Sequence, residues 1–214
     1  MPGEADAHDR LTAAHRWEVE PAWLQPPRLA STLASRTPTS IPTMVAPKRA
    51  AVAMILRHHR GGVELLLMKR AERPGDRWSG QISMPGGMAA PHDADLRATA
   101  MRETREEVEL DLGLAVALGR LDDQVAMAKG RVLPMAITPW VFAVDSAVAP
   151  KPSDEAVEVF WMPLAPVLRG EFDAVWRYEM AGLHHDLPAW RVQGHLVWGL
   201  THRMVSRLLD VAAP

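Results

Sequence analysis

A chain of 214 residues with 48% apolar and 23% charged side chains is long enough to bury one substantial core, and it has the balance of an ordinary globular protein. A formal charge of -2 gives no cationic excess for holding a nucleic-acid backbone, and the absence of cysteine removes disulfides, thiolate zinc sites and a thiol nucleophile together. The longest strongly apolar run, residues 50–56, is far below the roughly 20 residues of a bilayer-spanning helix, and the start MPGEADAHDRL lacks the pattern of a secretory signal, so a cytoplasmic protein is expected.

Residues 1–47 read as a proline-rich N-terminal extension. A helical start over residues 7–17 is followed by Pro26, Pro27, Pro38, Pro42 and Pro47. Each proline removes an amide donor and restricts the residue before it, so regular structure is not expected there. Trp17 and Trp23 point to some packing, yet the composition predicts that deleting residues 1–40 leaves turnover largely intact.

The folded domain is expected over residues 48–214. Residues 50–57 and 63–70 are apolar runs flanking His58-His59-Arg60-Gly61-Gly62, which predicts a hairpin. A loop rich in Gly and Pro covers residues 72–87 and ends in Pro85-Gly86-Gly87. The periodicity then becomes helical over residues 95–109, with Asp93 or Asp95 available as the N-cap. Further strands are predicted over residues 115–121, 136–144 and 157–162, where Pro139 favours an edge or a bulge. Residues 196–211 close the chain as an amphipathic helix, with Leu196, Leu200, Met204 and Leu208 at i, i+4 spacing. Strands around two main helices imply an α/β or α+β sandwich.

The chemistry lies in Pro85-Gly86-Gly87 and, fifteen residues after Gly87, in Arg102-Glu103-Thr104-Arg105-Glu106-Glu107. On a helix, positions 103, 106 and 107 share one face, and like charges so placed repel unless something cationic sits among them. Oxygen donors without Cys or His suit Mg2+ or Mn2+ rather than zinc. Glycine permits close approach and unusual dihedrals, so the carbonyl of Gly86 can turn toward the same ion. Ala100, Met101, Thr104 and Val108 on the other face can dock the helix on the sheet. Such a cluster suits water attack on the phosphorus of a pyrophosphate.

On its own, Arg-Glu-x-x-Glu-Glu describes a solvated helix face, because glutamate favours exposed helices. The Pro-Gly-Gly at its distance and the flanking strands set it apart. Residues 87–110 resemble the Nudix box, and the resemblance implies Glu103, Glu106 and Glu107 as metal ligands, Gly86 as a carbonyl ligand and Arg102 as the helix-orienting arginine. It also implies an α/β/α sandwich around a mixed sheet, and hydrolysis of a phosphoanhydride in a small nucleotide-like substrate, with no nucleic-acid or membrane partner and a homodimer left open.

Asp93 stands at the family's first acidic position. The sequence departs from the box in three ways: one extra residue lies between Asp93 and Arg102, Thr104 stands for an aliphatic residue, and Glu109 replaces the closing glycine. The last departure suggests that Gly113 supplies the helix stop. Ser79-Gly80-Gln81-Ile82-Ser83-Met84-Pro85-Gly86-Gly87, Val159-Phe160-Trp161-Met162-Pro163-Leu164 and residues 195–201 are similar to the coenzyme A pyrophosphatase branch. The substrate motif of that branch is only partly matched, because Met68 and Ala71 stand where Thr and Ser are typical. Coenzyme A or an acyl derivative is the implied substrate. A nucleotide sugar, a dinucleotide and a ligand-binding regulator without turnover are the alternatives.

Arg70, Arg77, Trp78 and Gln81 are the candidate substrate contacts, against the plainer reading of lone arginines as surface and tryptophans as core. Glu155, in preference to Glu158, is the candidate further ligand or general base, although either residue also suits a surface position. His58-His59, in a turn, and His184-His185, in a loop before Pro188, have no zinc-like spacing, and His195 is either packed or on the substrate side.

Overall fold

The computed structural model describes residues 22–60, 62–76, 78–128, 131–180 and 183–213. Among them the chain forms, in order, a 3-10 turn (Ala22–Leu24), α1 (Pro26–Ala34), β1 (Lys48–His59), β2 (Gly62–Arg70), β3 (Ile82–Ser83), β4 (Gly86–Met88) and α2 (Leu96–Val108). β5 (Val116–Arg120), β6 (Gln124–Ala128), β7 (Arg131–Val144), β8 (Ala156–Pro163) and α3 (Leu164–Leu168) follow. β9 (Asp173–Met180), β10 (Leu183–Val192), β11 (His195–Trp198) and α4 (Gly199–Ala212) complete it.

The predicted hairpin is β1–β2, in a register that pairs Leu56 with Leu65 and His59 with Gly62. β1 lies between β2, antiparallel, and β7, parallel, so the main sheet is mixed as expected. It is buried on both faces, which is why Leu65, Leu66, Leu67 and Met68 run without polar alternation. Along β1, Ala51, Ala53 and Ile55 join the core beneath α2, while Ala50, Met54 and Leu56 join the core beneath α1 and α4. Helices on both faces make the α/β/α sandwich. Small side chains at Ala51 and Ala53 let α2 come close to the sheet.

α2 begins where the caps predicted, with Asp95 Oδ1 accepting from the Ala98 amide at 2.7 Å. It ends at Glu109, which itself takes a left-handed φ of 51°, so Gly113 is not the stop that the missing glycine suggested. Thr104 is fully buried, and its hydroxyl donates to the Ala100 carbonyl at 2.7 Å. That bond satisfies the polar group and explains how threonine serves at an aliphatic position.

Pro139 sits inside β7, a central strand, opposite the point where one neighbour gives way to another. Arg120 of β5 pairs with Trp140, Gln124 of β6 pairs with Ile137, and the Leu121 amide donates to the Pro139 carbonyl at 2.9 Å. The missing proline donor thus falls at a break in the ladder, the place such a residue needs.

Several expectations are corrected. The proline-rich arm carries a helix, because Pro26 and Pro27 occupy its first two positions, where absent amide donors cost nothing. Leu24, Leu29 and Leu33 are buried in the main core, so residues 22–34 pack as part of the molecule, while residues 1–21, including Trp17, lie outside the described residues. The loop over residues 72–87 contains β3 and the start of β4. Residues 195–198 are a strand, and the closing helix starts only at Gly199. His184 and His185 lie in β10 rather than in a loop. A three-stranded sheet, β11–β10–β9, had no counterpart in the predicted elements beyond these misread segments.

Asp122 and Asp123 knit distant segments together. Asp122 accepts from Arg36 at 3.2 Å, the Thr39 amide at 2.8 Å and Arg207 at 2.9 Å. Asp123, with only 1% of its side chain exposed, accepts from the Ile41 amide at 2.9 Å, Arg49 at 2.7 Å and Thr138 at 2.7 Å. Burial pushes the Asp123 carboxyl up, and these bonds outweigh it and hold it ionised.

Candidate active site

β4 and α2 together place the acidic residues. Gly86 pairs with Val52 of β1 so closely that a Cβ at position 86 would lie 2.3 Å from the Ala51 carbonyl oxygen. A Cβ at Gly87 would lie 2.5 Å from the Glu103 carboxylate. Gly86 is therefore required by contact with the backbone of a neighbouring strand, whereas a side chain at Gly87 would have to displace the Glu103 carboxylate.

Glu107 is the most deeply placed carboxylate of this group, with 2% of its side chain exposed. Its Oε2 accepts from the Gly86 amide at 2.8 Å and its Oε1 from Arg70 at 3.2 Å. Burial outweighs both donors and pushes its pKa up to about 7. Burial also raises the Glu103 carboxyl, against the pull of Arg102.

Arg102 fastens the helix face. Its Nε and Nη2 grip Asp93 at 2.9 and 3.0 Å, Nη1 reaches Glu103 at 2.8 Å and Glu106 at 2.9 Å, and Nη2 also reaches the Met88 carbonyl at 3.0 Å. The Arg102 guanidinium, with help from the Ala90 amide and the Thr99 hydroxyl, holds the Asp93 carboxyl well below the usual range. Asp93 is thus neither the N-cap nor a member of the carboxylate cluster; it is the anchor of Arg102.

Glu155 is placed by backbone bonds. The amides of Lys151 and Ser153 donate to the carbonyls of Val108 and Glu107 at the end of α2, and the Ala71 amide donates to the Glu155 carbonyl at 2.9 Å. These bonds close the orphan carbonyls of the helix and dock the loop beside β2. Glu158 instead pairs with His195 at 3.0 Å, and His195 stacks on Phe160, so both are engaged away from the acidic group.

Glu103, Glu107, Glu155, Gly86, Arg70, Trp78 and Gln81 all line one cavity of about 1170 Å³. Glu106 and Arg102 stand beside it rather than in its wall, and Arg77 lies outside the described residues. Arg70 is already engaged, holding Asp76 at 2.8 Å as well as Glu107. The Trp78 indole donates to the Met127 carbonyl at 3.3 Å.

The far wall belongs to the unanticipated sheet. Trp176, Tyr178 and Trp198 line the cavity, with Trp176 stacked on Trp198 at 3.5 Å and on Tyr178 at 4.6 Å between centroids. The signal for this sheet was a period of two, with Ala174, Trp176 and Tyr178 alternating with Asp173, Val175 and Arg177.

Among the described residues, no three His, Asp or Glu side chains are gathered closely enough to hold a metal ion, and Arg102 and Arg70 are paired with the carboxylates. The donor set nevertheless fits a hard divalent cation. It is all oxygen, and burial disfavours the charge on Glu103 and Glu107, which a cation would offset.

Residues 47–180 match the model of the NUDIX domain. A human protein named mitochondrial coenzyme A diphosphatase NUDT8 is 34% identical over 169 residues, covering 78% of this chain and 71% of that one. Its mouse counterpart is 32% identical over 170 residues, covering 78% and 80%. Among solved structures, a C. elegans Ap4A hydrolase binary complex is similar at 21% identity and a TM-score of 0.46, over 57% of this chain and 84% of that one. No helix among the described residues is long and apolar enough to cross a membrane.

Proposed function

The chain belongs to the Nudix family and is a Nudix hydrolase, and from that premise we propose that it cleaves the phosphoanhydride of coenzyme A or an acyl-coenzyme A. The observation that carries this reading is one cavity that joins the half-buried Glu103 and the buried Glu107 to a long apolar and aromatic wall. At about 1170 Å³ it lies just above the usual range of small-molecule sites, about 300–1,000 Å³. A substrate with a nucleotide and an extended arm suits that shape. The names of the human and mouse relatives support the same substrate.

In this reading Glu103, Glu106, Glu107 and the Gly86 carbonyl hold Mg2+ or Mn2+. When bound, such an ion polarises a phosphoryl oxygen and lowers the pKa of water. Arg102 positions Glu103 and Glu106 and is itself fixed by Asp93. Glu155 takes the proton of the attacking water at the cavity wall. Water adds to one phosphorus, the anhydride bond breaks, and two phosphomonoesters leave. Trp78, Gln81 and the Trp176–Trp198 stack cover the parts of the substrate that do not react. The enzyme works in the cytoplasm on a small nucleotide-like substrate, without nucleic acid or membrane.

The test is product analysis by mass spectrometry after incubation with Mg2+ or Mn2+ and a panel of coenzyme A, acyl-coenzyme A, nucleotide sugars and dinucleotides, with Glu107→Gln as control. Adenosine 3',5'-bisphosphate and a phosphopantetheine fragment, absent with the variant, are expected. Cleavage of a different panel member alone would refute the coenzyme A assignment.

A further inference from the structure

Among the described residues two arginines line the cavity, and they differ in their partners. Arg70 is committed to Asp76 and Glu107. Arg203, on α4, donates Nη2 to the Val125 carbonyl at 3.0 Å and meets only the sulfur of Met127 at 3.8 Å with Nη1. Among the described residues no carboxylate lies within ion-pair distance of it. A guanidinium has five N–H donors, so this contact set leaves donors for a ligand.

Its electrostatic setting is also distinct. Carboxylates raise the pKa of Arg70, Arg102, Arg169 and Arg177, whereas at Arg203 burial acts alone and in the lowering direction. His202, the next residue on the same wall, is lowered by burial as well, so it is uncharged at neutral pH and does not duplicate the cation. A partly buried cation without a counter-ion, in the wall of a substrate cavity, is suited to an anion that arrives with the substrate.

We propose that Arg203 binds a terminal phosphomonoester that the substrate carries apart from its scissile anhydride, and so selects substrates that have one. The inference deepens the coenzyme A reading and rests on it, because the 3'-phosphate of coenzyme A is such a group. A planar fork of donors matches a phosphate dianion better than an ammonium does, which is the reason for arginine here.

The test is calorimetric binding of adenosine 3',5'-bisphosphate and of adenosine 5'-monophosphate without added metal. It is run on the full chain, on Arg203→Gln and on Arg203→Lys. The unaltered protein is expected to prefer the bisphosphate about tenfold, equivalent to about 1.4 kcal/mol. Arg203→Gln is expected to bring the two affinities together, and Arg203→Lys to keep part of the preference.

No preference in the unaltered protein, or a preference retained by Arg203→Gln, overturns the proposal. Equal weakening of both ligands also overturns it, because it shows that Arg203 only braces β6 through Val125. Turnover of coenzyme A and 3'-dephospho-coenzyme A, measured in parallel, reports separately on the substrate reading: failure to cleave either sinks that reading, while the binding ratio still decides the role of Arg203.

Discussion

Replacing Glu107 by glutamine should change stability in a pH-dependent way opposite to the usual expectation for removing a buried ion pair. The carboxyl is 2% exposed and its pKa is raised to about 7 from an ordinary value of 4.5, with burial the main cause. A carboxyl raised in the folded state binds its proton more tightly there than in the unfolded chain. Its contribution to stability is therefore complete below pH 4.5 and is lost as pH rises through 7. At 1.36 kcal/mol per unit, the shift corresponds to a loss of about 3 kcal/mol over that window, with the attraction of Arg70 already included.

Glutamine keeps an acceptor for the Gly86 amide and never ionises. Urea unfolding at pH 4.5 and pH 8.5, with chelator present, should show the variant gaining about 3 kcal/mol on the parent at the higher pH. Magnesium should restore most of the parent's stability at pH 8.5 and leave the variant unmoved, while turnover by the variant is lost. A variant whose stability relative to the parent is the same at both pH values would refute the argument.

Three further outcomes follow from contacts already described. Gly87→Ala should retain the fold but lose most turnover, since its methyl displaces the Glu103 carboxylate, whereas Gly86→Ala meets β1 backbone and should yield little soluble protein; circular dichroism and product assays separate the two. Asp93→Ala removes the shared acceptor of Ala90, Thr99 and Arg102 and frees Arg102, so it should cost about 1–3 kcal/mol in denaturant unfolding and lower kcat more than it raises KM. Deleting residues 1–40 strips Leu24, Leu29 and Leu33 from the core at about 1.5–3 kcal/mol each, so the truncated chain should aggregate on expression, contrary to the outcome its composition predicts.

What was legible in the sequence was what local periodicity carries. The β1–β2 hairpin announced itself by two apolar runs and a Gly-Gly turn, and α2 by the Asp95 cap and the i, i+3, i+4 carboxylates. Positional meaning was harder to read. Pro26 and Pro27 read locally as breakers although proline at a helix start is favourable, and Pro139, which by itself favours an edge or a bulge, sits in a central strand where the partner changes and the register of both neighbours shifts. The Trp176–Trp198 sheet escaped because its alternation is carried by half-exposed residues and interrupted by Pro188, which lies one residue beyond the end of the β11 pairing. The role of Asp93 was also invisible, since two carboxylates two residues apart look equally like caps until tertiary contact tells them apart.

The joint at Asp122 and Asp123 has a consequence for the order in which the molecule is assembled. Arg36 and Thr39 meet Asp122 across more than eighty residues of chain, and Arg207, from the closing helix, meets the same carboxylate. During synthesis from the N-terminus, α1 therefore emerges long before either partner exists, with Leu29 and Leu33 still without a surface to cover them. Its docking has to wait at least for β5, where Leu33 lies against Gly119, and for Asp122, and the joint closes fully only when Arg207 arrives, so this interval is when the nascent chain is expected to be most exposed to self-association. Lowering the translation temperature, or supplying a chaperone that covers apolar helices, should raise the soluble yield while the stability of the finished protein stays the same.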